Sequence, residues 1–370
     1  MSKLFESFTL GERTLRNRIA MAPMTRSRSP DGAANELTAL YYRQRASTGL
    51  IVTEGTPISR TAEGFLFIPG MYTPAQVAGW RKVTAAVHEE GGTIFAQLWH
   101  VGRVSHVSNQ PDGIAPVSST VQIARKSQAW GITKDGTPGA VDVSQPRALS
   151  TEEVRDVIAD FAQAAANAIE AGFDGVELHG ANGYLIEQFL NSLVNDRTDE
   201  YCGDTLEGRT RFLLEAVDAV IARISAKRTA IRLSPYGGLF DMGHYPEIEQ
   251  TYLYIADELS KRGLAYIHLM DQKSRGSSAI PADFLAKFRS HYKGVLILAG
   301  GMTREQAEEL IDADLIDIAA FGEPFIANPD LVKRLRNGWP LATVDRALHY
   351  GGDAHGYTDY PTYNEKRSVA

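Results

Sequence analysis

Short apolar runs alternate with amphipathic segments along most of the chain. Eight of these runs have the length and composition of buried parallel strands. They cover 18–23, 50–54, 93–98, 175–179, 230–233, 265–270, 295–299 and 316–321. Most are followed by a stretch with helical spacing. Strands that alternate with helices predict a parallel sheet, and a count of eight favours closure into an α/β fold of the (β/α)8 TIM-barrel type.

The helix before the fourth strand has the clearest pattern. Ser150 and Glu153 form a capping-box signature, and apolar side chains then recur at helical spacing as far as Gly172. Further helices are predicted over 73–90, 206–225, 247–262 and 303–312. An open doubly wound sheet is the alternative architecture, but it would need a Gly-x-Gly-x-x-Gly turn after the first strand, and none follows Pro23.

Two segments fall outside the repeating pattern. Residues 8–15 predict a hairpin that turns near Gly11, and it is either a plug under the barrel or a surface turn. Residues 103–149 are polar, rich in Ser, Gly and Pro, and too long for an ordinary connection, so they predict a lid or substrate-binding excursion after the third strand. We expect one domain over 1–370.

Composition narrows the classes of partner. With 44% hydrophobic and 22% charged residues the chain is typical of folded globular proteins. A net charge of −7 without long blocks of one sign gives no support for nucleic acid or a membrane as partner, so a small-molecule ligand is expected. Cys202 is the only cysteine, which excludes an intramolecular disulfide and favours the reducing cytoplasm. Neither a signal peptide nor an apolar run of ~20 residues is present.

Polar side chains collect where the predicted strands end, and barrels of this kind build their active sites there. The fourth strand is followed within six positions by His179, Asn182 and Tyr184. Any one of them could be a structural residue, but three together favour chemistry. Arg232, flanked by apolar residues in the fifth strand, needs an anionic ligand or a core carboxylate such as Glu177.

Glycine turns after the seventh and eighth strands predict a phosphate site, because their backbone N–H groups are free to bind an anion. The turns contain Gly300, Gly301, Gly322 and Glu323. A phosphate tail at this position, Thr25 and Gln97 across a planar polar ring, and the Arg232 cation beside it together describe FMN. A guanidinium near N1 would stabilise the anionic reduced flavin.

With these residues the sequence resembles the old yellow enzyme family of flavin ene-reductases, including the bacterial N-ethylmaleimide and pentaerythritol tetranitrate reductases. The resemblance covers almost the whole chain. It is carried by motifs at 17–26, 97–103, 179–184, 195–203, 325–331 and 356–361.

The resemblance implies a role for each site residue. Thr25 would bind the flavin near O4, Gln97 the pyrimidine edge, and Arg232 the N1 and O2 atoms. His179 and Asn182 would bind the carbonyl oxygen of the substrate, and Tyr184 would be the proton donor. Residues expected to pack against the flavin ring are Pro23, Met24 and Gly55, and those expected to shape the substrate pocket are Phe65, Trp99 and Tyr350.

Two positions depart from the family pattern. Phe65 stands where many relatives have tyrosine, so one hydroxyl contact is missing. Glu323 stands where the family commonly has an arginine beside the phosphate, and a carboxylate pointing inward would repel that group. We expect Glu323 to turn to solvent while the N–H groups of Gly301, Gly322 and Glu323 hold the phosphate more weakly.

The implied reaction is reduction of an electron-poor alkene, an α,β-unsaturated carbonyl compound, with NADPH (or NADH) as the reductant. Nitro compounds and nitrate esters are further candidate acceptors, and relatives are monomers or homodimers. One alternative is a flavin-free, phosphate-binding isomerase or aldolase barrel, which would need a lysine or a carboxylate base such as Glu54 or Glu177. Another is a non-catalytic flavin-binding protein, which would not require His179, Asn182 and Tyr184.

Overall fold

A closed barrel of eight parallel strands forms the centre of the computed structural model, which describes residues 2–363. The strands are β1 (Ile19–Met21), β2 (Leu50–Pro57), β3 (Ile94–Trp99), β4 (Gly175–Gly180), β5 (Thr229–Leu233), β6 (Tyr266–Met270), β7 (Leu296–Ala299) and β8 (Ile318–Phe321). Each strand pairs with the next, and β8 closes the barrel on β1, with Ala320 opposite Ala20. The (β/α)8 prediction is confirmed.

Ten α-helices surround the strands or line the mouth of the barrel in residues 2–363. They are α1 (Glu36–Arg43), α2 (Pro74–Glu89), α3 (Thr151–Glu170), α4 (Leu185–Leu190), α5 (Leu206–Ile224), α6 (Ile248–Arg262), α7 (Ala282–His291), α8 (Arg304–Asp312), α9 (Glu323–Ala327) and α10 (Leu331–Asn337). The predicted helices are confirmed. The sequence pattern missed α1, α4, α7, α9 and α10. In α4 every side chain is buried, so the polar face that reveals an amphipathic helix is missing.

The start of α3 follows the predicted capping box. The Glu153 N–H donates to Ser150 Oγ at 3.2 Å, and the Ser150 N–H donates to the Glu153 carboxylate at 2.8 Å. Two backbone donors that a helix start leaves unpaired are thereby satisfied. The cap fixes where the chain leaves the excursion and returns to the barrel.

The N-terminal hairpin closes the bottom of the barrel. Phe8–Leu10 pairs antiparallel with Arg13–Leu15, and the buried side chains Leu10 and Leu15 share one apolar cluster with inward-facing barrel residues such as Phe95. Burying each leucine stabilises the fold by about 1.5–3 kcal/mol. Of the two predicted alternatives, the plug is confirmed.

The excursion 103–149 folds over the mouth of the barrel. Its largest element is an antiparallel hairpin of Gln128–Ile132 and Pro138–Asp142. The buried residues Ala124, Ala129 and Val143 of the excursion belong to the same apolar cluster as Trp99 and Tyr184. The segment therefore forms part of the wall around the predicted site.

None of the helices in the described part of the chain is both long and apolar enough to cross a membrane.

Candidate active site

The side chains predicted at the strand ends meet at the carboxyl face of the barrel. His179 on β4 lies opposite Arg232 on β5 in the strand register. The Tyr184 ring centroid lies 5.0 Å from that of His179 and 4.8 Å from that of Trp99, and each pair has an edge-to-face arrangement. Phe65 stacks on Trp99 at 5.5 Å. One aromatic cluster thus joins the predicted proton donor to the predicted pocket wall.

A tight turn after β4 presents the candidate catalytic side chains. Asn182 has φ of 59° and Gly183 has φ of 77°, so two consecutive residues adopt the left-handed conformation. Asparagine tolerates this conformation better than most residues, and glycine adopts it freely. At Gly183 a Cβ atom would also lie 2.5 Å from the Leu239 carbonyl oxygen. The turn therefore requires glycine for both backbone and packing reasons.

A buried carboxylate holds this turn in place. The Gly183 N–H donates to Glu187 Oε2 at 2.6 Å, and the Ser234 hydroxyl donates to the same carboxylate at 3.0 Å. Ser234 Oγ in turn accepts the Asn182 N–H at 2.7 Å. Burial raises the pKa of Glu187 to about 7, against the hydrogen bonds from Gly183, Ser234 and Tyr252. Sequence reasoning missed Glu187, because it lies on α4, whose residues show no periodic pattern.

His179 is oriented as a neutral hydrogen-bond donor. The Ala181 N–H donates to His179 Nδ1 at 3.3 Å, so the neutral ring carries its proton on Nε2. Burial, reinforced by the positive charge of Arg232, holds the pKa of His179 well below its usual value. The Nε2–H group is therefore a donor across the physiological pH range.

Gln272 orients Asn182 so that its side chain, like that of His179, presents a hydrogen-bond donor. The Gln272 Nε2 group donates to Asn182 Oδ1 at 3.2 Å, which leaves the Asn182 Nδ2 group as a donor for another molecule. Gln272 Oε1 also accepts the Gly238 N–H at 3.0 Å, so the amide of Gln272 is itself fixed. His179 and Asn182 together offer two N–H donors, the chemistry that a carbonyl oxygen requires. Gln272 was also missed from the sequence.

Tyr184 is buried, and this keeps its hydroxyl group protonated. Burial raises the pKa of Tyr184 well above its usual value, although the nearby Arg275 opposes the shift. The Arg275 side chain is exposed and lies in the short helical turn after β6. The electrostatic effect of Tyr350 also raises the pKa of Tyr184. Tyr350 itself is 61% exposed, which places it at the rim of the pocket.

Arg232 is buried and lacks a carboxylate bound directly to it. Its Nε atom has no hydrogen-bond partner among the described residues, and one terminal nitrogen donates to Met270 Sδ at 3.2 Å. The oxygens of Glu177, the alternative partner predicted from the sequence, instead accept from Gln97 at 2.7 Å and His268 at 2.9 Å. Burial lowers the pKa of Arg232 to about 10, which leaves the side chain charged at neutral pH. A buried, unsatisfied guanidinium of this kind suits an anionic ligand.

The segment after β1 lies beside these groups. Pro23, Met24 and Thr25 are half-buried at the strand end. The following Arg26 N–H donates to the buried Glu54 carboxylate at 3.3 Å, which ties the segment to β2. Gly55, predicted to pack against the flavin ring, is also required by packing within the protein, because a Cβ atom there would lie 2.5 Å from the Trp99 ring. Gly55 therefore makes room for the indole.

The two predicted phosphate turns are adjacent. Ala299 pairs with Ala320 in the register of β7 and β8, so Gly300 and Gly322 follow neighbouring strands. Gly300 and Gly301 have φ of 136° and 74°, and a Cβ atom on Gly300 would lie 2.3 Å from the Asp271 carbonyl oxygen. Glu323 is exposed, in agreement with the expectation that it turns to solvent.

These residues fit FMN. The guanidinium of Arg232, with its unsatisfied Nε, would provide a cation for the pyrimidine of a reduced flavin, Gln97 has its Oε1 available because its Nε2 is already engaged, and the paired glycine turns would hold the phosphate. In contrast, residues 2–363 contain no cluster of His, Cys, Asp or Glu suited to a metal ion. The arrangement favours a flavin site with a hydrogen-bonding pocket above it.

Comparison with known proteins agrees with this geometry. A family model described as the NADH:flavin oxidoreductase / NADH oxidase family matches residues 3–342. The 12-oxophytodienoate reductase 1 of Oryza sativa subsp. japonica is 42% identical over 368 residues, which cover 98% of this chain and 93% of the relative.

Solved structures agree as well. Morphinone reductase in complex with tetrahydroNAD superimposes with a TM-score of 0.93 at 46% identity, covering 97% of each chain. The old yellow enzyme homologue from Zymomonas mobilis gives a TM-score of 0.90 at 38% identity, covering 97% of this chain and 99% of the other.

Proposed function

The chain belongs to the NADH:flavin oxidoreductase / NADH oxidase family, and on that premise we propose that it reduces the activated C=C bond of α,β-unsaturated carbonyl compounds. Membership confirms the resemblance to old yellow enzymes, FMN as the cofactor and a reduced nicotinamide as the electron source. Relatives named as reductases of 12-oxophytodienoate and of morphinone support an enone as the substrate class.

The observation that carries the proposal is the pair of oriented donors beside a protonated phenol. With His179 Nδ1 and Asn182 Oδ1 both occupied, the His179 Nε2–H and the Asn182 Nδ2 group are the donors left for a ligand. They would bind the substrate carbonyl oxygen and stabilise the negative charge that develops on it. FMN held in this site would supply the hydride, with a reduced nicotinamide as its source.

Tyr184 completes the reaction as the general acid. Its phenol stands against His179 and Trp99 at the edge of the same pocket and is protonated at neutral pH. We assign it the proton delivered to the carbon α to the carbonyl group, while the β carbon receives the hydride from the opposite face. The net addition of hydrogen is then trans.

Two structural details disfavour the flavin-free isomerase or aldolase. None of the eight strands contains a lysine that could form a Schiff base. The two candidate carboxylate bases are already engaged, since Glu54 accepts a backbone N–H and Glu177 accepts from two side chains. A protein that only binds flavin would have no need for the oriented donors at His179 and Asn182.

Isotope labelling tests the proposed function. Reduction of 2-cyclohexenone with NADPH deuterated at C4 should place deuterium on the β carbon of the product. In D2O with unlabelled NADPH, deuterium should appear on the α carbon. Exchange of the two positions, or no saturated ketone at all, would contradict the proposal. Parallel assays with nitro compounds and nitrate esters would then show whether one of these classes is the acceptor instead.

Localisation and assembly are part of the same proposal. With a single cysteine the chain cannot form an intramolecular disulfide, and proteins without disulfides are typical of the reducing cytoplasm, which we propose as its location. We assign a monomer or a homodimer, and light scattering on the purified protein distinguishes these two from a larger assembly.

A further inference from the structure

Four polar side chains form one layer inside the barrel, below the expected position of the flavin pyrimidine. We call Gln97, Glu177, Arg232 and His268 the buried polar layer; they come from the consecutive strands β3, β4, β5 and β6. In the strand register Gln97 lies opposite Glu177, and Arg232 lies opposite His268. All four are buried.

Glu177 accepts hydrogen bonds from two other residues of the buried polar layer. Its Oε1 accepts from Gln97 Nε2 at 2.7 Å, and its Oε2 accepts from His268 Nδ1 at 2.9 Å. Burial alone would raise the pKa of Glu177, but the hydrogen bonds from His268 and Gln97 and the positive charge of Arg232 hold it below its usual value. Burial also lowers the pKa of His268, against the attraction of Glu177, so the pair is a carboxylate and a neutral imidazole.

This arrangement is hard to explain by stability alone. Burying an unpaired charge is expensive, and a buried ion pair is often no more stabilising than apolar residues of similar volume. The interior below these residues is mainly apolar, with residues such as Phe95, Ala230 and Ile297, and the one tyrosine of that cluster, Tyr266, interacts electrostatically with Glu177. The charged members of the buried polar layer, Glu177 and Arg232, lie at the site end of the interior, which points to a role in ligand binding.

Glu177 has two consequences for a ligand above the layer. First, it fixes the orientation of the Gln97 amide, because a carboxylate accepts only from the NH2 end and leaves Oε1 as an acceptor. Second, it places a negative charge near Arg232, which offsets part of the guanidinium charge. These effects act on the pyrimidine edge and on the charge of the reduced flavin, respectively.

We propose that Glu177 is a positioning residue that selects the orientation of the Gln97 amide for the flavin N3–H and limits how far Arg232 stabilises the reduced flavin. The inference rests on the proposed function, since it requires FMN in the predicted site. Glu177 would thereby influence both the affinity for flavin and the flavin potential, although it acts only through Gln97 and Arg232.

The variant Glu177→Gln tests both effects in apoprotein reconstituted with FMN. Loss of the fixed amide should weaken binding of oxidised FMN about fivefold, as expected for one hydrogen bond. Loss of the negative charge should raise the affinity for reduced FMN relative to oxidised FMN about tenfold, which corresponds to a midpoint potential about 30 mV more positive for a two-electron couple.

Asp174→Asn is the matched control. Asp174 is a buried carboxylate immediately before the same strand, at the opposite end from the site, where it accepts the Ile94 N–H at 2.8 Å and pairs with Arg13 at 2.7 Å. Its loss should lower thermal stability without changing the flavin potential. An unchanged potential in Glu177→Gln would overturn the inference while flavin binding and turnover stand. Failure of the wild-type protein to take up FMN would overturn the proposed function instead.

A measurement on the wild-type protein covers the case in which Glu177→Gln does not fold. FMN labelled with 15N at N3 should show its N3–H proton shifted downfield on binding, because Gln97 Oε1 accepts from it. An N3–H proton at its solution position would mean that the amide presents its NH2 end, and the proposed role of Glu177 would be wrong.

Discussion

Gln272 Nε2 donates a hydrogen bond to Asn182 Oδ1 across 3.2 Å, although the two residues are 90 positions apart in the chain. The contact decides which end of the Asn182 amide a ligand meets. Gln272 is itself fixed by backbone donors of the loop after β5, the Gly238 N–H at 3.0 Å and the Leu239 N–H at 3.3 Å. The donor pair at the proposed carbonyl site therefore depends on a residue outside it.

Gln272→Glu should weaken substrate binding while preserving the loop. Glutamate keeps the acceptor for the Gly238 N–H but loses the donor to Asn182, whose amide is then free to reverse. We expect the KM for 2-cyclohexenone to rise by roughly tenfold, equivalent to about 1.4 kcal/mol. Steady-state kinetics measure it, and thermal denaturation serves as the control for folding. An unchanged KM would show that Asn182 does not bind the carbonyl group.

Tyr184→Phe should separate the two halves of the reaction. Removing a positioned general acid slows the step it serves by about 10²–10⁴-fold. Alkene reduction should fall by that factor, whereas reduction of the flavin by NADPH should continue at close to its normal rate. Rapid mixing of each half-reaction separately gives both rates. Equal loss in the two would contradict the assignment of Tyr184 as proton donor.

Glu187 should make stability depend on pH. Because the folded protein holds the Glu187 proton to about pH 7, against an ordinary pKa of 4.5, its contribution is complete below pH 4.5 and is lost as the pH rises to 7. The shift is equivalent to about 3 kcal/mol. Glu187→Gln should remove this part of the fall in melting temperature between pH 5 and 7.

The control for this prediction is an exposed carboxylate. Glu89→Gln, at the end of α2, should leave the pH profile of the melting temperature as in the wild type. Glu54, whose pKa burial also raises to about 7, should still contribute in both variants, so the slope is reduced rather than abolished. A Glu187→Gln profile identical to that of the wild type would refute the assignment.

Glu323→Arg should tighten FMN binding. Glu323 is exposed beside the Gly322 turn, and an arginine there can add a charge-assisted hydrogen bond to the phosphate. Such a bond contributes about 1.5–3 kcal/mol, so we expect the dissociation constant to fall at least roughly tenfold. Glu89→Arg makes the same change in net charge at the opposite end of the barrel and should have little effect. No tightening in Glu323→Arg would mean that the phosphate lies elsewhere.

The sequence alone predicted the barrel because each strand is a short apolar run bounded by turn residues, and the polar residues at the strand ends marked the face that carries the site. His179, Asn182, Tyr184 and Arg232 were found in this way. Their roles, like those of the flavin-contacting residues, are still predictions, but the structure places them together.

The residues that orient the site could not be found from the sequence for physical reasons. Gln272 acts across 90 positions through one amide hydrogen bond, and Glu187 acts through a backbone N–H and a serine. Neither arrangement leaves a periodic pattern. The packing reason for Gly55 could not be predicted either, because the Trp99 ring that it makes room for lies on the next strand. The exposure of Tyr350 depends on the path of the C-terminal segment.

The most direct test of the account is an anaerobic stopped-flow titration of the purified protein. The yellow absorbance should bleach on mixing with NADPH and return when 2-cyclohexenone is added, each at a rate that supports turnover. A protein that bleaches but does not recover its colour with the enone would contradict the proposed alkene reduction. A colourless protein that takes up no added FMN would contradict the flavin site itself, and with it the proposed reaction.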